Sequence, residues 1–325
     1  MKKLIVAAMM ASTGLGLWAA EAASSEKDGG AKASAELEEK DDKSWEVGVD
    51  VEAYTAYVWR NAFSSDRAVV QPSVWGNWTF CDPLSLGFYV WQNYDLTNRR
   101  RHDGLRGEWN ETDYNVHLGY EAWKSDDEDC VLTFEFGHEW YTYNAHGHWD
   151  DGTAKRKSFP TTYEFYLHSE FENPFVTPYA QASWDYLRNH GMYFELGLKK
   201  EETLSDIFDS ESDLLSQLSL FGDWNVGGGS KRYLNYLYAP RFSVDDDGEY
   251  DAKDQKAGIG GTTIKVGLTW APCDNFSLSL IGAYTAILNN RCAEGVRDAH
   301  DLDLYSDCLD HRNLVWGGFK ASLSF

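Results

Sequence analysis

Carboxylates recur at even spacing through this chain, and even spacing on an extended backbone places side chains on one face. Glu46, Asp50 and Glu52 share such a face, as do Asp113 and Glu121, Glu135 and Glu139, and Glu164 and Glu170; Asp95, Asp185, Glu195 and Asp223 fall on the same inward register. The bases expected opposite them are Arg60, Lys199, Lys265 and Lys320. Acids along a low-dielectric wall would focus a negative field and favour cations. Alternatively, acids and bases pair across a narrow interior and only stabilise it. Tyr54, Trp75, Tyr89, Trp91, Tyr141, Tyr166, Tyr179, Tyr193, Phe221 and Trp316 share this face. Rings beside carboxylates could bind a sugar, nucleoside or organic cation, or could simply fill space.

Other chemistry fits poorly. A hydrolase needs nucleophile, base and orienting group within hydrogen-bond reach, yet His168 and Ser169 are adjacent and fall on opposite faces of a strand. His117 is expected inside and His138 outside near a rim, neither with a serine partner. Glu135 and Glu139 lie about 13 Å apart on a strand, too far for a glycosidase pair. The run Asp245, Asp246, Asp247, Gly248, Glu249, Asp251 has Ser243 and Asp254 where a calcium loop wants Asp and Glu. Asp298, His300, Asp301, Asp303 and His311 read as a solvated loop. No cysteine pair has zinc-site spacing. The chain is therefore expected to be no enzyme and to carry no cofactor; no metal site is assigned, and divalent binding by these acidic loops stays open beside the solvated-loop reading.

The elements that position these residues are strands. From Trp45 onward twelve alternating segments can be traced, near 45–60, 68–80, 84–95, 111–123, 131–143, 161–172, 175–187, 191–199, 215–226, 261–271, 276–288 and 313–325. The reading is an all-β fold, a transmembrane antiparallel up-and-down β-barrel of twelve strands. Trp45, Trp59, Trp78, Trp140, Trp184, Trp224, Trp270 and Phe325 are expected to form its aromatic girdles. The span from Trp45 to Trp59 projects to roughly 33 Å at a 45° tilt, enough to cross a ~25 Å apolar band. In the last segment Val315, Phe319, Ala321, Leu323 and Phe325 alternate with polar residues, and an aromatic C-terminus of this kind looks like the signal that barrel-assembly machinery recognises.

Compartment follows from the chain ends. Lys2 and Lys3 precede an apolar run ending in Ala20, Glu21, Ala22, so 1–22 reads as a signal peptide, 23–43 as a flexible periplasmic segment and 44–325 as the barrel. Aromatics at 15% beside a mean hydropathy of −0.51 suit a barrel with a polar interior and loops. A net charge of −23 argues against nucleic acid as partner. Short connections (81–83, 124–130, 173–174, 272–275) alternate with long ones (96–110, 144–160, 227–260, 289–312), the periplasmic and extracellular sets. The exceptions are 188–190, short on the outside, and 200–214, long on the inside, where Leu204, Ile207 and Phe208 suggest a helical turn. In an oxidising compartment Cys292 and Cys308, within one surface loop, are expected to pair, while the pairing of Cys81, Cys130 and Cys273 is open. Arg99, Arg100, Arg101 and Arg106 could contact lipopolysaccharide phosphates or be solvated.

Tyr57-Val58-Trp59-Arg60, Val70-Gln71-Pro72-Ser73 and Glu111-Thr112-Asp113 followed by Gly119-Tyr120 occur in an order that resembles the TorF-like porin family of Gram-negative outer-membrane β-barrels. Members often place Gly after the Tyr-x-x-Arg stretch, where this chain has Asn61. The resemblance implies an outer-membrane pore. The expected function is passive diffusion of small hydrophilic solutes with mild cation preference through a lumen lined by Asp50, Glu52, Tyr54, Arg60, Trp75, Tyr89, Trp91, Asp113, His117, Glu135, Glu139, Glu164, Tyr166, Tyr179, Asp185, Glu195, Asp223, Lys265 and Lys320. The alternative is a scaffolding barrel with a filled lumen that contacts periplasmic cell-wall proteins.

Overall fold

The computed structural model describes residues 44–65, 67–96, 108–127, 129–143, 146–147, 157–158, 161–238, 255–301 and 312–325. Its wall consists of β1 (Ser44–Tyr54), β2 (Val69–Cys81), β3 (Leu84–Asp95), β4 (Glu108–Lys124), β5 (Val131–Tyr143), β6 (Thr162–Glu172), β7 (Thr177–Asp185), β8 (Met192–Thr203), β9 (Leu218–Gly229), β10 (Gly258–Cys273), β11 (Phe276–Ile287) and β12 (Asn313–Ser324). Each strand pairs antiparallel with its sequence neighbours, and β1 pairs with β12 from Gly48↔Ser324 to Tyr54↔Gly318. The sheet is thus a closed transmembrane barrel of twelve strands, in which neighbouring strands satisfy the backbone polar groups that lipid cannot.

Alternation in the sequence sets the two faces. Val47, Val49 and Val51 point out from β1 while Asp50 is buried; Phe165 and Leu167 point out from β6 while Glu164, Tyr166, His168 and Glu170 are buried. Large inward side chains fit because small residues sit beside them. The Tyr166 ring lies on Gly137 of β5 and the Tyr179 ring on Gly197 of β8, and in each place a Cβ would collide with the ring. Where the two chain ends meet, the Phe325 N–H donates to the Val47 carbonyl at 2.8 Å, and Trp45 stacks on Trp78 with centroids 5.0 Å apart.

The first strand is shorter than its periodicity suggests. It leaves the wall after Tyr54, and a small hairpin, Tyr57–Trp59 paired with Ala62–Ser65, folds back over the lumen. Its tip, Arg60 and Asn61, has φ of 50° and 62°, the left-handed pair of a type I′ turn. Tyr57, whose place in the alternation of β1 predicts a lipid-facing side chain, is consequently buried. Trp59 does not reach the outer girdle; its ring packs edge-on against Tyr141 at 5.3 Å. A hairpin has the same period of two as a wall strand, so alternation alone cannot separate them.

Four helices complete the described chain: α1 (Leu204–Ile207), α2 (Asp213–Ser216), α3 (Lys231–Tyr238) and α4 (Asn290–Asp301). The first is the helical turn expected in the 200–214 connection, and the β8/β9 register passes without a shift from Tyr193↔Gly229 to Thr203↔Ser219. Ser230 caps α3 by accepting the Tyr233 N–H at 3.4 Å, and Asn289 caps α4 by accepting the Arg291 N–H at 2.9 Å. From the hairpin, Ala62 and Phe63 pack with Leu234, Tyr238, Ile287, Cys292 and Val296 into an apolar core. This cap lies at the end of the barrel opposite the chain termini, the extracellular end on the expected orientation.

Candidate functional site in the barrel interior

Strand alternation brings Asp50, Glu52 and Tyr54 (β1), Trp75 (β2), Tyr89 and Trp91 (β3), Asp113 and His117 (β4), Glu135 and Glu139 (β5), Glu164 and Tyr166 (β6), Tyr179 and Asp185 (β7), Glu195 (β8), Asp223 (β9), Lys265 (β10) and Lys320 (β12) to the inner face. The interior is polar and closely filled. Lys320 and Asp50, each 1% exposed, form an ion pair at 2.9 Å, and Glu52 approaches the same ammonium at 3.4 Å. Lys199 meets Glu170 at 2.6 Å, Lys265 meets Asp223 more loosely at 3.9 Å, and Arg60 meets Glu164 at 2.6 Å. Each inward base expected from the sequence therefore faces an acid.

Tyrosine hydroxyls hold several of the acids. Tyr141 donates to Glu139 at 2.6 Å, Tyr193 to Glu195 at 2.7 Å, Tyr179 to Asp223 at 2.9 Å, Tyr57 to Glu111 at 3.0 Å, and Tyr166 to Glu135. A phenol donates to a carboxylate without cancelling its charge, so these bonds orient the acids. His117 Nδ1 lies 2.8 Å from Asn115 Oδ1, and its Nε2 lies 3.8 Å from Glu135. Trp91 tilts against Tyr57 and Trp316 meets Tyr54 edge-on, so much of the aromatic face packs on itself.

Arg60 reaches this interior from the hairpin and not from the wall. Its Nη2 donates to Tyr141 Oη at 3.0 Å and Ser183 Oγ at 3.2 Å besides pairing with Glu164. Tyr233, on α3, donates to the other Glu164 oxygen at 2.7 Å. Sequence reading placed Tyr233 in a loop and missed it. The available signal was the spacing Tyr233, Leu234, Leu237, Tyr238 behind a serine, a one-sided helical pattern.

Three predicted positions do other work. Asp185 is a turn residue: Oδ1 accepts the backbone N–H groups of Leu187 at 3.1 Å and Arg188 at 2.8 Å, while Oδ2 accepts Thr162 Oγ1 at 2.7 Å. Those bonds satisfy the short connection between β7 and β8 and leave Asp185 wholly buried. Trp224 lies midway along β9, not at a rim, its indole N–H satisfied by Thr262 Oγ1 at 3.0 Å. Trp59 belongs to the hairpin, as above. Trp45, Trp184, Trp270 and Phe325 are exposed on the outside; Trp140 lies edge-on to His138 at 4.3 Å.

No group of three or more metal-ligating side chains occurs among the described residues. His117 and His168 share the inner face, and each has a carboxylate neighbour, Glu135 and Glu170 respectively. Cys292 is a buried free thiol on α4; burial pushes it up to about 12. Its expected partner Cys308 lies outside the described residues, as do 1–43, Arg99, Arg100, Arg101, Arg106, the 245–251 acids and Asp303 and His311.

No protein-family model matches the chain, and no curated protein matches it. Among solved structures, the fold is similar to an outer membrane channel from Pseudomonas putida F1, at 9% identity over 89% of this chain and 100% of that one, with a TM-score of 0.43. It is similar to Pseudomonas putida OprB at 7% identity over 88% of this chain and 94% of that one, TM-score 0.38. It is also similar to the outer membrane protein OprD from Pseudomonas aeruginosa at 11% identity over 86% of this chain and 65% of that one, TM-score 0.35.

Proposed function

We propose that the chain is an outer-membrane channel of a Gram-negative bacterium, exported by residues 1–22 and passing small hydrophilic solutes with a mild preference for cations. No catalytic step is part of this reading. The observation that carries it is the interior itself, polar and acid-rich, into which Arg60 reaches from a hairpin folded over the barrel end. An acidic, low-dielectric passage concentrates cations, and one narrowed by side chains restricts size. Lipid and lipopolysaccharide would surround the outward apolar band, and assembly machinery would read the β12 end.

Planar-bilayer recording tests the proposal. Purified, heat-modifiable barrel should give discrete current steps smaller than those of a 16-stranded porin, with a reversal potential favouring potassium over chloride. Folded protein that yields no steps rejects the channel. That result would favour a scaffolding barrel, a reading supported by the close burial of Lys320, Asp50 and Glu164. On the scaffolding reading, removal of 23–43 abolishes co-purification with a periplasmic partner.

A further inference from the structure

Arg60 occupies a box of aromatic rings. Its guanidinium carbon lies 4.6 Å from the ring centroid of Trp59, 4.9 Å from Tyr193, 5.3 Å from Tyr233 and 5.9 Å from Tyr141. Glu164, 0% exposed, closes the box with its 2.6 Å ion pair, and Ser183 adds an acceptor. Glu139 stands behind Tyr141. Apart from Trp59, every one of these groups comes from the wall or from α3, whereas the cation is delivered by the hairpin tip.

That delivery is conformationally unfavourable. Arg60 holds a left-handed φ of 50°, a region in which a residue with a Cβ costs roughly 1–2 kcal/mol and where turns ordinarily use Asn, Asp or Gly. A non-glycine residue kept in such a conformation points to a role for its side chain. A planar, delocalised, weakly hydrated cation also suits stacked rings and a carboxylate better than a compact ammonium does.

We propose that the box is a binding site for solutes bearing a guanidinium or a similar planar organic cation, and that Arg60 is a tethered occupant which such a solute displaces. As a statement about what is transported, this rests on the channel reading; as a statement about binding, it does not. Displacement requires only that the Arg60 side chain swing out, since Ala62 and Phe63 anchor the hairpin in the apolar core, the Asn61 carbonyl accepts the Tyr238 hydroxyl, and Tyr141, Glu164, Ser183, Tyr193 and Tyr233 stay with the barrel and its cap. A site emptied of Arg60 would leave Glu164 buried without its cation, which favours uptake of a replacement.

The test uses methylguanidinium, with methylammonium as control, on full-length barrel in detergent and in bilayers. In R60A, methylguanidinium should raise the temperature of heat-modifiable unfolding with a half-saturating concentration at least tenfold below that for wild type. Methylammonium should have little effect, and R60A/E164Q should lose the response. If R60A does not fold, R60K keeps the charge, removes the planar fork and should show the same ordering with a smaller shift. Equal responses of R60A and R60A/E164Q, or of the two cations, overturn the box. In bilayers methylguanidinium should block R60A current more strongly than wild-type current. Current without selective binding rejects the box and leaves the channel; selective binding without current supports the box and rejects the channel.

Discussion

Lys320 is the most exacting residue of the interior. It is 1% exposed and faces both Asp50 and Glu52, so truncating it strands two carboxylates where water cannot fully replace the ammonium. Removing one partner of a buried pair costs about 3–5 kcal/mol, whereas replacing the group together is often tolerated. K320A should therefore lower the urea midpoint of unfolding markedly, and D50N/E52Q/K320M should recover most of the loss; equal midpoints for K320A and wild type would show that the pair is solvated. Cys292 offers a second test. Its thiol is buried in the cap and held protonated up to about pH 12, while Cys81 and Cys273 are exposed. Maleimide should label Cys81 and Cys273 in the native barrel and Cys292 only after unfolding without reductant. Failure of Cys292 to label even then would show a disulfide. The acids themselves were legible in the sequence because period two assigns a face. Their partners were not, because Tyr166 meets Glu135, and Tyr179 meets Asp223, only once strand register is set.

Among the elements, the hairpin between β1 and β2 is, on the channel reading, the one that would narrow the lumen. The twelve wall strands could be read from alternation and turn residues, and the long connection after β8 needed no change of count. The hairpin could not be read, since Tyr57 and Trp59 continue the apolar alternation of β1; the chain leaves the wall at the bend of Thr55 and Ala56 and reverses at the left-handed Arg60 and Asn61. Asn61 suits that geometry, because Asn tolerates positive φ better than most residue types. The cap helices were hidden for a related reason. Of the residues of α3 that bury, Leu234 and Tyr238 have nothing to pack on until Ala62, Phe63 and α4 are brought beside them, and Tyr233 until Tyr193 and Arg60 are. Replacing 57–65 with a short Gly/Ser turn should raise single-channel conductance several-fold while the barrel stays heat-modifiable. An unchanged conductance in a folded variant would move the constriction elsewhere in the lumen.

For the whole molecule the question, on the channel reading, is whether an acidic interior would select for cations once its bases are paired. Lys320, Lys199, Lys265 and Arg60 each spend their charge on an adjacent acid, and a pair of opposite charges produces a field that falls off quickly with distance. On the channel reading, the acids that would carry a cation preference are those outside these pairs, among them Glu139 and Glu195, held by tyrosine hydroxyls, and Asp113 on the same inner face. Selectivity should depend on these residues and much less on the paired ones. In a tenfold KCl gradient the reversal potential of D113N/E139Q/E195Q should move toward zero, whereas the charge-neutral D50N/K320M should leave it near the wild-type value. The wild-type potential should also shrink as total salt rises, because the Debye length falls from about 10 Å at 0.1 M to about 3 Å at 1 M. A preference that survives both the substitutions and high salt would have to come from the short-range contacts around Arg60 and Glu164, and the selectivity would then be that of a binding site instead of a charged passage.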